Sequence, residues 1–398
     1  MSTISKRIRS LSESQTIAMS QKSAELKSKG KDIINLSVGQ PDFHTPDHIK
    51  EAAIRAIHDN FTSYPPVPGY RDLREAVAKK LQKENHLDYS PEQIIISAGA
   101  KHSLANAMLS LVNKGDEVIV PAPYWVSYVE QVKLAEGENV VVQTDIENNF
   151  KITPEQLKNA ITDKTKALIL CSPSNPTGTI YTREELAEIA SVIEKSPRKI
   201  FVISDEIYEY INFLGEHQSI AQFDNIRDQV VIINGVSKGF AMTGWRIGYM
   251  AAPTEIANAV AKLQGQVTSA AASISQRAAL AAINSNKDFT KEMVKAFKRR
   301  RDLVMDGLGQ IKGIKKYTPH GAFYLFPDIS YYFGKSYGQR QINNAADLCF
   351  YLLEEANVAL VPGNAFGSPN NIRISYAASD DALQEALRRI KAYLDKLE

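Results

Sequence analysis

Cysteine and tryptophan are scarce, with two of each among 398 residues. Cys171 and Cys349 lie far apart and form no C-x-x-C pair. Neither a disulfide framework nor a cysteine zinc site can be built from them, and no metal is expected. A reduced, cytoplasmic setting fits this cysteine usage. Charge of one sign is also lacking. Lys and Arg total 47 against 45 Asp and Glu, a formal +2. A nucleic-acid footprint would need clustered basic excess. No run of 18 apolar residues occurs, so no spanning helix is expected and membrane partners are excluded. The N-terminal MSTISKRIRSLSESQ is basic without an apolar core, which rules out a secretory signal. Acidic residues follow it, which favours an amphipathic helix over a transit peptide.

What remains is an ordinary globular composition, 44% hydrophobic and 23% charged, in a chain long enough for two domains. Short β-branched runs at 93–96, 117–120, 140–143, 167–171, 200–204, 230–234 and 248–252 read as strands. Helical patterns at 101–112, 125–135 and 183–194 separate them, the last opened by a capping box of Thr182 and Glu185. This alternation predicts an α/β fold with a largely parallel sheet covered on both faces. From residue 288 the pattern changes. A long basic helix over 288–307 precedes short strands at 322–326, 359–361 and 371–375, mixed with helices at 345–355 and 380–397. These predict a smaller α+β domain. The KRRR run at 298–301 reads as a solvated helix face.

Three chemistries compete for the segment IINGVSKGFAMTGWRIGY, residues 232–249. Gly239 to Gly244 has phosphate-loop spacing, but Trp245-Arg246 stands where Lys-Ser/Thr is required, so that reading is rejected. Gly235 to Gly239 satisfies the G-x-S-x-G of a serine hydrolase, for which His320 is the available later histidine. The third reading is a Schiff-base lysine, Lys238, with Ser237 and Arg246 holding a phosphate. An aldehyde cofactor such as pyridoxal phosphate also needs an acid for its ring nitrogen and a donor for its ring oxygen. Asp205 and Tyr208, in SDEIYEYI at a strand end, supply both, although Asp205 alone could be a helix N-cap. SAGAKHSL, residues 97–104, turns from strand to helix and offers backbone N–H groups to an anion. Asn175, in CSPSNPTGTIY, could be only a turn former, and Trp125 only a core residue. A binding protein without catalysis is the remaining alternative.

These segments, together with SVGQPDFHTP, SYPPVPGYRDLREAVA, PYWVSY and NIRISYA, occur in an order that resembles class I aminotransferases of the aspartate aminotransferase family, in particular the bacterial branch acting on aspartate, prephenate or aromatic amino acids. The resemblance runs from about residue 10 to the C-terminus. It implies a pyridoxal-phosphate-dependent transferase of fold type I. A large domain over 46–286 would carry the cofactor, and 1–45 together with 287–398 would form the small domain. The working unit would be a homodimer with shared active sites.

The resemblance also implies roles. Lys238 would bind the cofactor covalently and move protons. Asp205 would hold the pyridine nitrogen, and Tyr208 and Asn175 the ring oxygen, with Trp125 stacked on the ring. Gly99, Ala100, Lys101, Ser237 and Arg246 would cradle the phosphate, joined by Tyr64 from the neighbouring subunit. Arg373 would take the substrate α-carboxylate with Asn175 and Gly39. Lys101 and Thr16 would take a side-chain carboxylate. Two positions depart from the family pattern: Gln40 replaces the usual Glu, and Ala100 a common second Gly.

Overall fold

The structure is a computed structural model that describes residues 3–12 and 15–398, without the side chains of residues 15 and 16. A seven-stranded sheet forms its centre. Its strands in chain order are β1 (Ile94–Ser97), β2 (Glu117–Ala122), β3 (Glu138–Gln143), β4 (Thr165–Cys171), β5 (Phe201–Asp205), β6 (Val230–Gly235) and β7 (Gly248–Ala251). Across the sheet they run β1-β7-β6-β5-β4-β2-β3. Neighbours pair parallel except β7, which runs against both β1 and β6.

The central strands are continuous apolar runs because both faces are covered. Alternation along β1 assigns the layers. Ile94 and Ile96 belong to the layer that also holds the helices Arg71–Asn85, Arg183–Glu194 and Ser273–Ile283, the first of which packs on this strand. Ile95 points to the helices Ala100–Leu111 and Thr254–Val267. The expected capping box closes on Arg183–Glu194, where Thr182 Oγ1 accepts from Glu185 N.

A separate core gathers the C-terminal third. A three-stranded antiparallel sheet combines β8 (Tyr324–Leu325), β9 (Val361–Pro362) and β10 (Ile372–Ser375) in the order β9-β10-β8. The helices Asp288–Gly309, Ala345–Glu354 and Asp380–Leu394 contribute to the same core. Residues Ile34–Asn35 join by pairing parallel with Val358–Ala359. Ile207, Tyr208 and Ile211, in the turn after β5, belong to this second core as well. That turn links the two halves.

Two expectations need correction. The strand predicted at 322–326 shrinks to Tyr324–Leu325, because Ala322 sits in left-handed backbone with φ 54°. The KRRR run is not a uniformly solvated face. Arg300 and Arg301 are buried. Arg300 pairs with Asp42 and Asp380, and Arg301 with Asp302 and the carbonyl of Pro319. A basic run this short cannot show which residues face the core, and long arginine stems can be covered while their heads stay paired. Among the described residues, no helix is long and apolar enough to cross a membrane.

Candidate active site

Strands β4, β5 and β6 end side by side, with Cys171 opposite Asp205 and Asp205 opposite Ile233. The carboxyl ends of parallel strands are where such sheets bind ligands. A cavity of about 210 Å³ lies there, closed on the other side by Tyr324 and Arg373 of the second core. Lys238 reaches it three residues past the end of β6 and donates from Nζ to the carbonyl of Gly39 at 2.6 Å. Burial, then the neighbouring Arg373 and Arg246, lowers the Lys238 ammonium from 10.5 to about 8. A primary amine so placed is a competent nucleophile near neutral pH.

Asp205 is buried at the far end. Its Oδ2 accepts from the Tyr128 hydroxyl at 2.6 Å, and its Oδ1 from Ile207 N at 3.2 Å. Burial raises its carboxyl to about 6, against the lowering effect of Tyr128 and the Ile207 N–H. No helix starts here, so Asp205 is not the N-cap considered from sequence. A buried carboxylate facing a cavity calls for a cationic or protonated partner in it.

The turn from β1 into the helix Ala100–Leu111 makes an anion cradle. Gly99 has φ 91°, and a side chain there would meet the Arg246 guanidinium at 2.3 Å. Only glycine allows this approach. Ala100 already lies in the helix, so its methyl replaces a second glycine without strain. Arg246 is held by a bond from Nη1 to the carbonyl of Thr243 at 2.8 Å. Ser237, Lys101 and the helix N-terminus complete the cradle.

Arg373 is 2% exposed, and its hydrogen-bond partners are neutral. Nη1 donates to Asn175 Oδ1 at 3.0 Å and Nη2 to the carbonyl of Ser37 at 2.6 Å, while Nε is buried without a partner. Its guanidinium also lies over the rings of Tyr324 and Phe366. An uncompensated buried cation is costly, and an anion delivered by a ligand relieves it. Lys101 Nζ lies 4.8 Å from the Trp125 ring, and partial desolvation and Arg246 lower its ammonium. The cavity is therefore lined by four cations, Lys101, Lys238, Arg246 and Arg373, against one carboxylate, Asp205. It suits a ligand set carrying several negative charges.

The predicted residues Gly39, Ala100, Lys101, Trp125, Asn175, Asp205, Tyr208, Ser237, Lys238, Arg246 and Arg373 all line this one cavity, and Gly99 abuts it through Arg246. Tyr64 does not join them within the chain, being 97% exposed. The Thr16 side chain lies outside the described residues. Sequence reasoning missed Tyr128, Cys171, Ile207, Thr243 and Tyr324, which also line the cavity. Tyr128 had a usable signal: it follows Trp125 by three residues at a helix start and packs edge-on against it. The hydrolase alternative fails on geometry. His320 does not line the cavity and sits beside the Tyr317 hydroxyl instead.

A buried lysine with a lowered ammonium, a glycine turn beside an arginine at a helix start, a buried carboxylate and a buried guanidinium without an anion fit pyridoxal phosphate. Fold and site together define a pyridoxal-phosphate-dependent transferase. The profile of the aminotransferase class I and II family matches residues 31–390, and the chain belongs to that family. It is 47% identical over 393 residues to an aspartate aminotransferase of Bacillus sp. strain YM-2, covering 98% of this chain and 99% of that one. Identity is also 47% to a probable aspartate/prephenate aminotransferase of Rhizobium leguminosarum bv. phaseoli, covering 96% of each. Among solved structures, the aspartate aminotransferase from Rhizobium meliloti superposes with a TM-score of 0.96 at 41% identity, covering 100% of both chains.

Proposed function

We propose that this enzyme is an aspartate aminotransferase that passes the amino group to 2-oxoglutarate by a ping-pong mechanism, with additional activity toward prephenate or aromatic amino acids. The observation that carries the proposal is the excess of cations in the cavity, with Arg373 buried and lacking an anion. A phosphate and two substrate carboxylates would neutralise it. The relatives named for aspartate and for prephenate support the aspartate and prephenate part of that range.

Residues 46–286 would form the cofactor domain, and 1–45 with 287–398 the small domain. The cradle of Gly99, Ala100, Lys101, Ser237 and Arg246 holds the phosphate. Tyr64 reaches it from a second subunit of a homodimer in the cytoplasm. Asp205 would hold the ring nitrogen protonated, Tyr208 and Asn175 would bond the ring oxygen, and Trp125 would stack on the ring. When bound, the cofactor supplies an electron sink for the pair left by breaking the substrate Cα–H bond. Lys238 would accept the substrate Cα proton on Nζ and later release it to carbon. Arg373 grips the α-carboxylate as a planar fork, assisted by Asn175 and Gly39. Lys101, with Thr16, takes the side-chain carboxylate. A lysine on a flexible stem can also turn aside for an uncharged ring.

A panel of amino donors against 2-oxoglutarate tests the proposal. Aspartate and glutamate should lead in kcat/KM, with phenylalanine and a prephenate-derived donor measurable behind them. Equal rates for aspartate and alanine would overturn the dicarboxylate assignment.

A further inference from the structure

Tyr324 touches both ends of the substrate chemistry without belonging to either. It lies in β8, opposite Ser375 and fully buried. Its hydroxyl is 2.8 Å from that of Tyr208. Its ring lies under Arg373, with the guanidinium carbon 4.6 Å from the ring centroid. The hydroxyl also crowds Gly39, where a side-chain carbon would come within 2.9 Å of it. The carbonyl of that same Gly39 holds the Lys238 amine. One side chain from the second core therefore contacts Tyr208, Arg373 and Gly39, which are remote from one another in sequence.

We propose that Tyr324 is a positioning residue that couples cofactor tuning to carboxylate binding, its hydroxyl setting the donor strength of Tyr208 and its ring seating Arg373. The proposal rests on the reading of Tyr208 as donor to the cofactor ring oxygen. Two facing hydroxyls share one hydrogen bond. If Tyr208 gives its proton to the cofactor, its oxygen is left to accept and Tyr324 must donate. A hydroxyl that accepts a hydrogen bond becomes a stronger donor. The titratable and charged groups facing the pair are Arg373, Lys238 and Cys171. None of them is an anion that would claim either proton, and burial holds both phenols protonated. The ring of Tyr324 acts separately. It offers Arg373 a π face in place of a carboxylate, so the guanidinium stays oriented but free for substrate.

The two actions separate in three variants of the holoenzyme. Tyr324→Phe removes only the hydroxyl. A weaker Tyr208 donor leaves more negative charge on the ring oxygen, so the proton on the lysine–cofactor chromophore is held more tightly. Its visible-absorbance titration midpoint should rise by about 0.5–1 pH unit. Binding of succinate, a non-reacting dicarboxylate, should stay within about twofold of the parent, because the ring is retained. Tyr324→Leu should raise the midpoint similarly and also weaken succinate by about five- to tenfold. Tyr208→Phe should raise the midpoint at least as far as Tyr324→Phe. If Tyr208→Phe moves the midpoint and Tyr324→Phe does not, the coupling is overturned while the reading of Tyr208 stands. If neither moves it, the reading of Tyr208 itself falls, and the proposal with it. Unchanged succinate binding in Tyr324→Leu would overturn the seating of Arg373.

Discussion

Lys238 illustrates how a common residue becomes reactive through its surroundings. Its ammonium is lowered to about 8 because burial and the cations Arg373 and Arg246 disfavour charge there. The neutral amine is the form that attacks an aldehyde, so capture of pyridoxal phosphate by the apoprotein should accelerate with pH through about 8. An unperturbed lysine would keep accelerating toward 10.5. Stopped-flow absorbance across pH 6 to 10 would measure this, and a rate still climbing at the alkaline end would contradict it. Lys238→Ala should bind the cofactor only reversibly and transaminate very slowly. Tyr128 matters for a related reason, since its short bond to Asp205 is the largest influence opposing the desolvation of that carboxylate. Tyr128→Phe should lower kcat by about 10- to 100-fold, the 1.5–3 kcal/mol of a hydrogen bond to a charged group. Steady-state kinetics with saturated cofactor checks this, and a loss below threefold would show that the backbone bond to Ile207 suffices. Lys101→Ser should cut kcat/KM for aspartate by a similar factor and leave that for phenylalanine nearly unchanged. Equal losses would place Lys101 with the cofactor.

Within the elements, the turn from β1 into Ala100–Leu111 shows the tightest tolerance. Gly99 combines positive φ with close approach of Arg246, so any side chain both strains the backbone and displaces the guanidinium. Gly99→Ala should weaken pyridoxal phosphate binding by about 5- to 150-fold, in line with the roughly 1–3 kcal/mol of a strained backbone site. Equilibrium dialysis of the apoprotein would show it. Most elements of the large sheet are readable from sequence because strands buried on both faces are predominantly apolar, as the run 230–233 is before Asn234 and Gly235. The short strands of the C-terminal sheet are less readable. Two-residue strands such as Tyr324–Leu325 have no period to detect, and partners remote in sequence create them.

At the scale of the whole molecule, the active site is a seam between two cores. Arg373 stands on β10 of the second core and Lys238 follows β6 of the large sheet, so their meeting depends on how the two pack. The exposure of Tyr64 points outward in the same way. A tyrosine 97% exposed makes little contact within its own chain, and in the proposed homodimer it would lie across the two-fold axis. Light scattering should report a dimer at assay concentration, and Tyr64→Ala should weaken cofactor binding without changing that mass. An active monomer would contradict the shared site.

The sequence by itself determined the α/β alternation, the order of the motifs and the choice of Lys238 and Asp205 as candidate site residues near strand ends. Residue type and short-range spacing carry those properties. It could not determine that Arg300 and Arg301 are buried, that Asp205 accepts from Tyr128, or that Tyr324 joins Tyr208 to Arg373. The hydrogen bonds among them join residues 77 and 116 positions apart. They exist because strand ends, a helix start and a second core converge on one cavity, and only the packed chain brings them within hydrogen-bond reach.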